Sequence, residues 1–247
     1  MVSIDINCDL GEGGGNDEKI MRYISSANIA CGFHAGNINT IEKTILLASR
    51  YNVSIGAHPG YPDKENFGRK KMSLSPKEIT ALVKKQVSLL KLKTEENHQI
   101  LQHVKPHGAL YNQAATDIGI ARAICKAIIE VDPRLFFMGM PNSAMQTAST
   151  EAGLNFCAEG FVDRAYTNQG LLVPRSTPGA VITDIETCKT RALQIAQTNT
   201  TTSIDNKKID LIVNTICIHG DTGNAIEIAR SINEYLTTNN INIKAAL

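Results

Sequence analysis

The chain has 247 residues, 43% of them hydrophobic, and its 25 Lys and Arg nearly cancel 24 Asp and Glu to leave a net charge of +1. No block of like charge stands out, which excludes the basic footprint of a nucleic-acid binder and leaves a small molecule as the expected partner. No apolar run is long enough to cross a bilayer, and the first residues lack a basic stretch followed by an apolar one, so a cytoplasmic protein with no membrane partner is expected. The length suits one (β/α) domain over residues 1–247. The six cysteines show no C-x-x-C spacing and lie mostly in or beside apolar runs. They read as reduced, packed thiols, with neither a disulfide framework nor a zinc ribbon; Cys31 and Cys217 lie near polar loops.

Short β-rich runs alternate with helical segments along the chain, the pattern of β/α units around a parallel sheet. The first run, residues 2–7, continues into Asp9, and strand periodicity puts Asp5, Asn7 and Asp9 on one face with Ile4 and Ile6 on the other. Helices would cover the apolar face, so the acids point into a barrel lumen. The glycine-rich Gly11 to Gly15 that follows has neither Walker nor dinucleotide spacing, and reads as a loop able to bring backbone close to an anion. A second strand over 27–31 leads to His34, and a helix is expected over 40–50. The strand over 53–57 leads to His58, and Ser75-Pro76-Lys77-Glu78 predicts a helix opened by a capping box.

The strand over 100–105 leads through Lys105 to His107, which share a face, and a helix is expected over 117–130. Two further strands are predicted over 135–140 and 154–158, then a helix over 184–197 and a polar surface loop over 199–208. The last predicted strand, 210–217, runs on to His219 and Asp221 before a helix over 225–237. Thr215, Cys217, His219 and Asp221 share a face if that strand stays extended.

Ligands of parallel α/β folds bind at the carboxyl ends of the strands. Convergence of five polar strand ends favours a catalytic reading for Asp5, Asp9, His58 and His107; for Asn7, Lys105 and Asp221 function and structure balance. An unperturbed imidazole at His107 would titrate near pH ~6.5 and shuttle protons. His98 and His103 read as structural, one in a charged loop and the other early in a strand. Arg69, Arg164 and Arg175 are candidates for a carboxylate or phosphate, since guanidinium binds such groups bidentately, and each reads equally as a solvated surface charge.

Seven ordered segments carry a family resemblance. They are Asp5 to Glu12, Asn28 to Gly36, Gly56 to Asp63, Val104 to Asn112, Glu159 to Tyr166, Leu172 to Ser176 and Cys217 to Asp221. Together they resemble the LamB/YcsF signature set over nearly the whole chain, with departures at Gly13-Gly14-Gly15 and Lys70. The resemblance implies an irregular seven-stranded (β/α) barrel, TIM-like and similar to carbohydrate deacetylase barrels. It also implies a three-component 5-oxoprolinase that opens 5-oxo-L-proline to L-glutamate with ATP as co-substrate, alongside subunits B and C. On that reading Asp9, His58, His107, Asp5 and Lys105 are catalytic. Asn7, Glu12, His34, Arg69, Glu159, Asp163, Arg164, Arg175, His219 and Asp221 hold substrate.

Two rivals stand beside it. One is a metal-dependent amidohydrolase or deacetylase with a divalent ion on Asp9, His58 and His107, although no local ligand spacing marks the site. The other is a non-catalytic partner that only docks, which would not need acids and histidines at its strand ends.

Overall fold

The computed structural model describes residues 2–220 and 223–246. Its chain runs β1 (Ser3–Leu10), α1 (Asp17–Met21), β2 (Ser26–Ala30), α2 (Ile38–Tyr51), β3 (Ser54–His58), α3 (Pro76–Glu96), β4 (Leu101–Val104), α4 (Gly108–Thr116), α5 (Ile118–Val131), β5 (Phe136–Gly139), α6 (Ala144–Ala152), β6 (Phe156–Phe161) and α7 (Ile185–Thr198). A hairpin of β7 (Thr200–Thr202) and β8 (Lys208–Asp210) follows, then β9 (Thr215–His219), α8 (Ala225–Thr238) and β10 (Asn242–Ile243).

Strands β1 to β6 pair in sequence, all parallel, and β9 closes the ring by pairing with both β6 and β1. The result is the expected seven-stranded irregular barrel. Ile4, Ile6, Cys8 and Leu10 of β1 join the apolar core, while Asp5, Asn7 and Asp9 on the other face are also buried. A strand covered on both faces belongs to a parallel sheet wrapped in helices. Helix α3 opens with the predicted capping box: Ser75 Oγ accepts from Glu78 N at 3.4 Å and Glu78 Oε2 accepts from Ser75 N at 2.8 Å. Its buried Gln86 reaches back to the turn after β3, accepting from Gly60 N at 3.0 Å and donating to Gly60 O at 2.8 Å.

Three expectations need correction. The polar run 199–208 is no simple loop, because threonines suit a pleated strand and Thr200–Thr202 pair antiparallel with Lys208–Asp210, with Thr201 fully buried. That hairpin takes Asp210, so β9 starts only at Thr215. Strand β6 continues to Phe161, which brings Glu159 into the sheet, whereas the sequence pattern ends at Ala158. The short α1, α4, α6 and β10 have no counterpart among the predicted elements, being too brief to show a period.

His103 lies in the barrel interior, fully buried, with Nε2 2.7 Å from Asn28 Oδ1. Its ring fills the space beside Gly56, where an added Cβ would overlap the imidazole atoms. The β3–β4 register also shifts at this point, between Ile55 and Gly56. Gly56→Ala is therefore expected to destabilise the protein by about 1–3 kcal/mol through overpacking. In a His103→Ala background the same substitution should cost much less, as urea unfolding of the four proteins in the cycle would reveal. Equal costs in both backgrounds would show that the ring does not demand the glycine.

Candidate active site

Inward side chains of the barrel stack in layers. In the deepest, the Asp5 carboxylate accepts from Ser25 Oγ at 2.5 Å and Ser26 Oγ at 2.9 Å. Burial raises its pKa to about 6 despite these hydrogen bonds. Above it, Asn7 donates to Thr215 Oγ1 at 2.8 Å and accepts from Asn28 Nδ2 at 2.7 Å. Asn28 Nδ2 also donates to Asp9 Oδ1 at 2.8 Å, so with His103 behind it this amide fixes both β1 side chains.

Lys105 occupies the next layer and is 2% exposed. Its Nζ lies 2.9 Å from Asp9 Oδ1, 2.7 Å from Glu159 Oε1, 3.2 Å from Asn7 Oδ1 and 3.1 Å from Cys217 Sγ. Burial alone would favour the neutral amine, but Asp9 and Glu159, with Cys217 beside them, outweigh it and push the Lys105 pKa well above its ordinary value. Burial likewise works against the Asp9 carboxylate, and here His58 and Lys105 prevail and hold its pKa well below the usual range.

Three histidines crowd above Asp9. His58 Nδ1 lies 2.7 Å from the Lys105 carbonyl and His107 Nε2 lies 2.8 Å from the Phe67 carbonyl. A carbonyl only accepts, so these nitrogens carry the hydrogens. The remaining nitrogens, His58 Nε2 and His107 Nδ1, face each other at 2.9 Å. His58 Nε2 is also 3.3 Å from Asp9 Oδ2. The His34 ring stacks on His107 with centroids 3.9 Å apart and planes 3° from parallel. Glu12 Oε1 approaches His34 Nε2 and His107 Nδ1 at 3.4 Å each and His58 Nε2 at 3.9 Å. Burial lowers the His34 pKa to about 3, and burial with the neighbouring His58 and His34 takes His107 well below its ordinary value. The sequence pattern places His107 near its unperturbed value; burial and the two neighbouring imidazoles instead favour its neutral form.

These layers form the floor of a cavity of about 520 Å³ at the carboxyl ends of the strands. Asp9, Glu12, His58, Lys105 and His107 line it, as do Arg69, Arg164, Arg175 and His219. The other expected site residues stand behind it. Asp5 and Asn7 lie deeper in the barrel, His34 packs under His107, and Glu159 is fully buried against Lys105. Asp163 accepts from the His219 backbone N–H at 3.1 Å and lies 2.8 Å from its Nδ1, which orients the imidazole. Arg164 spends part of its guanidinium on the Val173 carbonyl at 2.7 Å, whereas Arg69 lies over the Phe67 ring at 5.0 Å. Asp221 falls outside the described residues. Sequence reasoning passes over Asn28, a polar side chain alternating with Ala27 and Ile29, and Tyr111, which lines the cavity from α4.

The profile of the LamB/YcsF family matches residues 4–247. The A subunit of 5-oxoprolinase from Clostridium beijerinckii is 45% identical over 248 residues, covering 98% of this chain and 97% of that protein. The protein of the same name from Limosilactobacillus fermentum is 44% identical over 250 residues, covering 99% of this chain and 100% of the relative. Among solved structures, the lactam utilization protein from Thermus thermophilus superposes with a TM-score of 0.93 at 40% identity, covering 98% of this chain and 99% of the other.

The raised pKa of Asp5 has a consequence for stability. Between its ordinary value of 3.8 and about 6 the folded state binds the proton that the unfolded chain has released. Stability from this group therefore falls as pH rises through that window and stays lower above it, by roughly 3 kcal/mol. Asp5→Asn keeps an oxygen for the two serine hydroxyls and removes the charge. It is expected to exceed the parent protein in stability by about 2–3 kcal/mol near pH ~7 and to match it near pH ~3.5. Urea unfolding at both pH values checks this; a difference that does not change with pH would mean that Asp5 ionises normally.

Proposed function

The chain belongs to the LamB/YcsF family, and we propose that it is the ring-opening component of a 5-oxoprolinase, converting 5-oxo-L-proline to L-glutamate with ATP and two partners, subunits B and C. The observation that carries this reading is Lys105, a buried ammonium shared between Asp9 and Glu159 at the floor of the cavity. The names of the relatives supply the substrate class, a small lactam. A volume of about 520 Å³ accommodates such a ring together with a phosphoryl group, and Arg69 and Arg175 on its wall suit the carboxylate.

A lactam carbonyl is a poor electrophile, and phosphorylation of its oxygen at the expense of ATP makes the carbon reactive. Water then adds to that carbon and gives its proton to Asp9. The ring C–N bond breaks as the nitrogen takes a proton and becomes the amine of glutamate, and a second water frees inorganic phosphate from the acyl phosphate that remains. Lys105 faces the oxygen on which negative charge grows, an electrostatic contribution strongest in a site shielded from water. The same lysine adjusts the base. Its field holds Asp9 ionised in the resting site, and as the ammonium turns toward the substrate oxygen the carboxylate regains basicity. The chain has no recognisable phosphate-binding loop, so activation falls to the partners.

Glutamate formation from 5-oxoproline and ATP tests the assignment. The isolated chain is expected to show no turnover and to gain it when B and C are added; full turnover by this chain alone would refute the division of labour. Asp9→Asn should lower the rate of the reconstituted enzyme on the order of a thousandfold, because it removes charge and basicity with almost no change in shape. Should that variant keep both its activity and a normal circular dichroism spectrum, Asp9 is not the base.

A further inference from the structure

Two tautomers in the active site conflict. His58 donates its Nδ1 hydrogen to the Lys105 carbonyl and His107 donates its Nε2 hydrogen to the Phe67 carbonyl. In neutral rings the other two nitrogens carry lone pairs, and these point at one another across 2.9 Å. Facing lone pairs at that distance repel, so the site is built to hold a positive charge between them. That charge is either a single shared proton or a metal ion.

The surroundings distinguish the two. A proton would serve the His58–His107 pair and Asp9, whose Oδ2 lies 3.3 Å from His58 Nε2, but it would do nothing for His34. His34, 1% exposed, has no hydrogen-bond partner at either ring nitrogen among the described residues, and its Nε2 lies beside Glu12 at 3.4 Å. Two glycines hold this side chain closely, since a Cβ at Gly60 would come 2.7 Å from the ring Nδ1 and one at Gly68 would come 2.8 Å from the His34 Cβ. The donor atoms of Glu12, His34, His58 and His107 all lie within 4.8 Å of one another. Four of the six spacings in the group are 2.9, 3.4, 3.4 and 3.9 Å. A tetrahedron of donors around an ion with bonds of about 2.0–2.1 Å has edges of roughly 3.3 Å. Both histidines that meet at 2.9 Å anchor their other nitrogen on a backbone carbonyl, the outer support typical of metal-ligating imidazoles.

We propose that Glu12, His58 and His107 bind a divalent transition-metal ion such as zinc, with His34 bounding its fourth side. The set of one carboxylate and two imidazoles is a common one for zinc that keeps an open position. It differs from the ligands suggested by the sequence, because Asp9 is already engaged with Lys105 and Glu12 takes the carboxylate role. The proposal concerns the cavity described above but does not rest on the ring-opening reading.

Metal binding to the isolated, chelator-treated full-length chain tests it. One equivalent of zinc is expected by calorimetry, and one equivalent of cobalt(II) should give the visible absorption of a low-coordinate site. Loss of an outer-shell partner alone typically costs about 10–100-fold in metal affinity, so Glu12→Gln and His107→Ala should each weaken binding by more than ~100-fold. Melting curves of the variants check that they fold. As a measurement that needs no variant, NMR of the imidazole nitrogens should show His58 Nε2 and His107 Nδ1 shifting together on addition of zinc. Failure of the native chain to take up stoichiometric metal, with those nitrogens instead sharing one proton, would overturn the proposal. So would affinity unchanged in both variants. An active complex that takes up no added zinc would sink this inference alone, whereas a chain that binds metal but gives no glutamate with its partners would sink only the functional reading.

Discussion

Burying one ammonium group organises this barrel. Lys105 Nζ sits at 2% residue exposure, where an unpaired charge would cost several kcal/mol. Its compensation comes from three other strands: Asn7 and Asp9 on β1, Glu159 on β6 and Cys217 on β9. These side chains can meet only if β9 bridges β6 and β1, so closure of the sheet and solvation of the lysine are one requirement. The positive field then reaches outward. It holds Asp9 as a carboxylate at the cavity floor, and Asp9 in turn faces His58 at 3.3 Å. Fold and chemistry thus depend on the same charge.

The histidines show how little freedom this arrangement leaves. His34 and His107 stack in parallel; Gly60 packs against the His34 ring, and Gly68, in a left-handed conformation at φ +65° that favours glycine, packs against the His34 Cβ and the His107 ring. The turn after β3 is tied to α3 by two hydrogen bonds of Gln86. Side chains held from both ends lose little entropy when substrate arrives, and this is the use of building a site on rigid elements. Arg69 and Arg175 on the cavity wall come from loops and contribute reach instead.

Much of this is readable from residue order. Alternation along β1 identifies Asp5, Asn7 and Asp9 as lumen-facing, and Ser75 with Glu78 marks the start of α3. Alternation gives the face of a side chain but not its height in the barrel, so Asp5 looks equivalent to Asp9 although it lies two layers deeper. The end of β6 is hard to place because Glu159 is charged, and a buried carboxylate is credible only once its partner 54 positions away is in view. His103 reads as structural from its place early in a strand, but nothing local tells that it orients Asn28, 75 residues distant. The depressed pKa of His107 likewise comes from burial against His58 and His34, neighbours supplied by the end of β3 and the loop after β2. The threonine-rich hairpin is hidden by polarity, since threonine suits loops and strands alike.

Closure by the last strand has a bearing on how the protein is made. Thr215 meets Asn7 across 208 positions of sequence, and β10 adds a second tie by pairing Asn242 and Ile243 with Ser3 and Ile4. Joining residues so far apart costs chain entropy before any contact returns it, which places seam formation late in folding and makes it slow. A chain emerging from the ribosome would carry β1 through β6 with two open edges and with Lys105 lacking its contact to Cys217. Such an intermediate offers unpaired backbone to its neighbours, the usual origin of aggregation in parallel barrels. Lys105 therefore gains its full set of partners only in a chain long enough to shut the ring.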